Sequence, residues 1–141
     1  MAKFTLDTDD FDEPDFLLIG ISSHAKSYRI CWSLNQVMGT HLTKADFNIE
    51  ITNTRKKTQS VFEVYNFEDE DLRIHYFLIS NKNRDGYLLP EFKHADYFMM
   101  LKENINIDLN SVIEQVKMSD QVLTAFTIAP DDIKSKENLL F

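Results

Sequence analysis

Residues 61–80 read VFEVYNFEDEDLRIHYFLIS. Two apolar-rich runs, Val61–Phe67 and Leu72–Ser80, flank Glu68-Asp69-Glu70-Asp71, a joint too short and too polar for anything but a hairpin turn. The two runs are therefore predicted to be antiparallel neighbours in a sheet. Along the second, Leu72, Ile74, Tyr76 and Leu78 fall on one side and Arg73, His75, Phe77 and Ile79 on the other.

Upstream of this hairpin, Asp15–Ser22 (DFLLIGIS) is an almost unbroken apolar run, which suits a strand covered on both faces. A helix should follow. Ser22 or Ser23 is placed to cap it, Ala25, Tyr28, Cys31, Trp32, Asn35 and Met38 recur at spacings of three and four, and Gly39 is placed for the left-handed turn that ends it. The stripe of Tyr28, Trp32 and Met38 is expected to face the sheet. Phe47–Ile51 alternates like a strand, and Thr52–Gln59 reads as a basic polar loop.

Downstream, Asn81–Gly86 carries the strongest loop signal and Asp96–Lys102 reads as a strand. Asp108 caps a second helix, whose Leu109, Val112, Ile113 and Val116 form one apolar face. Gln121–Ala129 is a last strand, stopped by Pro130. The order β-α-β-β-β-β-α-β predicts an α+β fold with a mainly antiparallel sheet of about five to six strands and two helices on one face. Residues 1–14 are expected to form a mobile acidic arm and residues 15–141 a single domain. The closing Leu139-Leu140-Phe141 is costly to leave in water, so the tail must dock, either here or across a partner subunit.

Composition narrows the function classes. The three glycines, at positions 20, 39 and 86, are too widely spaced for a dinucleotide fingerprint, a Walker loop or a nucleophile elbow. One cysteine excludes an internal disulfide and any zinc site built on two thiolates, and Cys31 beside Trp32 reads as a buried small hydrophobe. A net charge of −8 has the wrong sign for gripping nucleic acid, and Arg55-Lys56-Lys57 reads as a solvated turn. The acidic N-terminus does not read as a signal peptide, and the longest apolar stretch, Phe16–Ile21, is far shorter than a bilayer span. A cytoplasmic protein with no membrane partner is expected.

The densest set of chemically capable residues is Leu89–Tyr97, LPEFKHADY. Glu91, His94 and Asp96 are the candidates for general acid or base work. Alternation along an extended chain would separate Glu91 and Lys93 from His94 and Asp96, which favours a structural reading in which Pro90 fixes the direction of the chain, Glu91 caps or pairs with a backbone group and Asp96-Tyr97 opens a strand. Pro90, Glu91, Asp96 and Tyr97 are also candidate binding residues, as are His24 and Arg29 at the start of the first helix, a place suited to an anion. The four histidines, at 24, 41, 75 and 94, never fall in a helical metal-ligand spacing, so neither metal nor cofactor is expected.

LPEFKHADY resembles the signature of the IPExxxVDY family, small bacterial proteins found mainly in the Bacteroidota. Pro90, Glu91, Asp96 and Tyr97 match it, while Leu89 stands for its Ile and Ala95 for its Val. The resemblance extends to Ser27-Tyr28-Arg29, the Asn81 loop and residues 134–141, and it implies no activity, cofactor or catalytic residue. The function expected is that of a non-catalytic binding or regulatory protein acting through a protein surface, as a homodimer. The alternative is a small hydrolase or transferase using Glu91, His94 or Asp96, with His24 and Arg29 closing the site.

Overall fold

The computed structural model describes residues 16–141 except 54, 85, 105 and 140, so the expected acidic arm lies outside the described residues. The strands are β1 (Phe16–Ser22), β2 (Thr43–Lys44), β3 (Ile49–Asn53), β4 (Thr58–Phe62), β5 (Val64–Asp69), β6 (Ile74–Ser80), β7 (Lys82–Asn83), β8 (Gly86–Tyr87), β9 (Tyr97–Glu103) and β10 (Thr124–Ile128). The helices are α1 (Ser27–Met38) and α2 (Leu109–Lys117). Six strands make one sheet in the order β10-β1-β9-β6-β5-β2, antiparallel throughout. The fold is α+β, as the order of the elements predicts.

That hairpin forms, with Phe67 opposite Tyr76 and Asp69 opposite Ile74. Its first arm is shorter than expected. Val61–Phe67 is not one strand: Phe62 ends β4 and Val64 begins β5, and both are buried in the same apolar cluster. The chain bends at Glu63 so that β4 leaves the main sheet and pairs with β3 beneath it. Within Thr52–Gln59, expected to be a loop, Thr52, Asn53, Thr58 and Gln59 instead pair as the facing ends of a second hairpin, with residues 55–57 turning between them. The sixth strand of the main sheet is Thr43–Lys44 instead of Phe47–Ile51.

The sheet is buried on both faces, which explains the near-continuous apolar runs of β1 and β9. One face presents Ile19, Ile21, Tyr76, Leu78 and Met99 to α1 and α2. The opposite face presents Leu18, Phe77, Ile79, Phe98 and Met100 to β3, β4, residues 88–95 and the C-terminal tail. Gly20, mid-β1, leaves room for the ring of its β10 partner Phe126, which would clash with a Cβ at that position.

Helix α1 departs from expectation in two ways. It begins at Ser27 after Lys26, with no side-chain cap, so Ser22 and Ser23 do not cap it. Its buried side carries Ile30, Cys31 and Leu34, while Tyr28 and Trp32 are 62% and 66% exposed. The aliphatic stripe wins the sheet and rotates the aromatics outward. Gly39 ends the helix in the left-handed region at φ 68° as expected, and Asp108 caps α2 by accepting from the Asn110 amide.

The tail docks on its own chain. Leu139 is buried, and the Phe141 ring sits 5.2 Å from Phe77 and 5.3 Å from Phe47, centre to centre. The tail therefore does not need a partner subunit to cover it, and Leu140 lies outside the described residues.

Candidate functional site

The segment 88–97 runs beneath the sheet between the β7–β8 hairpin and β9. Leu88, Leu89 and Ala95 are fully buried, and Pro90–Phe92 forms a single 3-10 turn with Pro90 in its first position. This turn breaks the strand-like alternation expected along the motif. Such a buried irregular segment needs partners for its backbone groups. Asn81 supplies them. Its Oδ1 accepts from the Leu89 amide at 2.8 Å, and its Nδ2 donates to the carbonyls of Phe92 (2.9 Å) and Ala95 (2.7 Å). Its own backbone closes further bonds to Leu88 and Asp96. Asn81 is fully buried and was missed as a functional or structural centre by sequence reasoning, which saw only a loop there.

Glu91 reaches the C-terminal tail. Its Oε2 accepts from the amides of Lys134 (2.7 Å) and Ser135 (2.8 Å), and its Oε1 accepts from Ser135 Oγ at 3.1 Å. Burial pushes its pKa upward, but hydrogen bonds from its own amide, from the Ser135 and Lys134 amides and from the Ser135 hydroxyl outweigh that, so the carboxyl is held below its ordinary value. Asp96 serves a different tie. Its Oδ2 accepts from the Ser23 amide at 2.8 Å, and its Oδ1 pairs with Lys82 Nζ at 2.7 Å. The pairing raises the Lys82 pKa, chiefly through the hydrogen bond.

Tyr97 donates from its hydroxyl to the Ala25 carbonyl at 2.6 Å, and burial, with smaller contributions from Asp96, Glu63 and Tyr65, pushes its pKa up to about 12. His94 contributes its backbone carbonyl, which accepts from Ser22 Oγ at 2.7 Å, while its side chain is exposed. Asp96, Tyr97 and the His94 carbonyl thus anchor the turn joining β1 to α1. Glu91 anchors the tail.

The candidates do not gather into one constellation. The hollow beside the motif, about 380 Å³, is lined by Tyr87, Pro90, Lys93 and Ser135 among others, with none of Glu91, His94 or Asp96 in its wall. His24 and Arg29 are both exposed, and neither hydrogen-bonds to the motif. Cys31 is buried, its Sγ 3.4 Å from the Leu42 carbonyl, and burial raises its pKa to about 11, the opposite of an activated nucleophile.

A second feature is on the outer side of α1. Tyr28, Arg29 and Trp32 line a shallow hollow of about 340 Å³, and Trp32 is the single tryptophan of the chain. Burying such side chains is worth more than burying any other type, and their exposure on a helix whose opposite side is closed leaves that contact energy unused. The spacing of Tyr28 and Trp32 was legible; which way they face was not. Among the described residues, no helix is long and apolar enough to cross a membrane. Comparison of the chain with protein-family models, with curated proteins and with solved structures returns no match.

Proposed function

We propose that this is a non-catalytic binding protein that acts through the outer face of α1, that the face pairs with a second copy to make a homodimer, and that the chain is an IPExxxVDY protein of the cytoplasm. The observation that carries the reading is the exposure of Tyr28 and Trp32 on either side of Arg29. Helix α1 holds no acidic residue, so two copies related by a two-fold axis set Arg29 of one against the aromatic rings of the other, a guanidinium-on-indole arrangement. The polar groups of LPEFKHADY agree with a non-catalytic role, because Glu91, Asp96 and Tyr97 are all engaged in structural hydrogen bonds. The motif matches at Pro90, Glu91, Asp96 and Tyr97 support the family, and a single buried thiol suits a reducing compartment.

Light scattering across a dilution series, read beside the fluorescence of the single tryptophan, tests this. Trp32 emission shifts to the blue as the mass doubles, and the double variant Tyr28→Ala, Trp32→Ala stays monomeric. A wild-type monomer at every concentration, or a dimer indifferent to the double variant, overturns it.

A further inference from the structure

At the end of the sheet away from α1's first turn, three adjacent strands bring together Glu68 of β5, His75 of β6 and Glu103 of β9. One ligating atom from each lies within 4.8 Å of the others. Glu68 and His75 are register partners, so their side chains share a face. Glu103 is not placed by register: it stands opposite Ile74, and plain alternation would send it to the helix-covered side.

The backbone redirects it. Glu103 has φ 79°, and the Asn104 amide bonds to the Lys102 carbonyl at 3.1 Å, closing a γ-turn of the rare positive-φ kind centred on Glu103. Rotation about the N–Cα bond carries the side chain round to join His75. The turn is held from outside, because Asn104 Nδ2 donates to the Leu72 carbonyl across the β5–β6 joint.

Arg73 and Lys102 border the cluster, but among the described residues neither forms an ion pair with its glutamates. Lys102, directly opposite His75, is drawn to the tail, with Nζ 3.4 Å from the Phe141 carbonyl and 5.5 Å from the centre of the Phe141 ring. Neither Glu68 nor Glu103 forms a salt bridge among the described residues. The imidazole is oriented in advance. It stacks on Phe77 with ring centres 4.1 Å apart. Glu103 lines two hollows, of about 560 and 300 Å³, which give solvent and an ion access to the cluster.

We infer that Glu68, His75 and Glu103 form a binding site for a divalent transition-metal ion of the zinc class. One imidazole and two carboxylates are the borderline donors such ions take, and three protein ligands leave coordination positions for water. Donors at about 2.1 Å from a tetrahedral zinc stand about 3.4 Å apart, so the exposed glutamates close the remaining gap by side-chain rotation. Bound there, the ion joins β5, β6 and β9 and stabilises the fold by mass action. The site is independent of the α1 face.

Titration calorimetry of the full chain with zinc chloride, paired with thermal melting with and without zinc, tests the site. One ion per chain is expected, with a rise in melting temperature. Removing a group that merely orients a metal ligand costs roughly 10–100-fold in metal affinity, so the near-isosteric ligand variants Glu68→Gln and Glu103→Gln should each lose about 100-fold. Both should abolish the rise in melting temperature, whereas His41→Ala should leave both readouts unchanged. Zinc affinity no tighter than millimolar, or tight binding that survives Glu103→Gln, overturns the assignment. Because both glutamine variants change only exposed side chains, a folding defect does not mask the result.

Discussion

On one face of the sheet the cover is two helices, whose backbone groups bond within themselves and need only apolar side chains such as Ile30, Leu34, Val112 and Ile113 to seat them. On the other face the cover is the β3–β4 hairpin, a 3-10 turn and an irregular tail, and the turn and tail have no such ladder. There the polar side chains do what the helical ladder does opposite. Asn81 holds residues 89–95, Glu91 holds residues 134–135, and Asn138 Nδ2 donates to the Leu88 carbonyl at 2.8 Å. A cluster of charged and polar residues that resembles a catalytic motif is thus explained by what an irregular cover demands.

Breaking the largest of these ties should have the largest effect. Asn81→Leu keeps the volume close but orphans the buried Leu89 amide and Ala95 carbonyl and removes one of the two bonds to the Phe92 carbonyl, and it should cost about 4 kcal/mol in urea unfolding. Amide exchange should rise along 88–95 before it rises in α1 or α2, and uniform loss of protection would break the contrast between the faces.

Glu91→Gln sharpens the contrast through pH. The folded carboxyl is held below its ordinary value of 4.5, so its contribution is present above that value and is lost as pH falls through the lower folded value. The variant should be about 1–2 kcal/mol less stable at neutral pH and should converge on the parent in acid. A gap independent of pH would show that the tie does not depend on charge.

Tyr97→Phe is the smallest intervention. It leaves the ring in the core, removes one bond to the Ala25 carbonyl and should cost about 1 kcal/mol in the same unfolding measurement. This tie lies on the helix-covered side, so exchange in the tail should stay as it is in the parent.

Much of the fold was legible because local rules govern it. The alternation in Ile74–Ser80, the Asp108 cap and the Gly39 terminus are each decided within a few residues. What was not legible depends on distant competition. Tyr28 and Trp32 have core-like spacing, but the Ile30–Leu34 stripe takes the sheet, and nothing within α1 announces which stripe the sheet accepts. The break at Glu63 is likewise imposed from outside, by the need to cover Phe77 and Ile79. In LPEFKHADY the sequence marked the residues that matter structurally, and the backbone pairing expected of Glu91 is present, but its partner lies 43 residues on at Lys134. The meeting of Glu68, His75 and Glu103 was invisible, because it depends on one positive φ at the end of β9.

The place of β1 in the sheet bears on how the molecule is made. The strand lies between β9 and β10, so Ile21 waits for Tyr97 and Ser22 waits for Thr124. During synthesis its apolar run emerges well before either neighbour, and the β5–β6 hairpin can form ahead of it. Until β9 arrives, this buried strand has no partner, and the rate of its capture sets how long the nascent chain is open to aggregation.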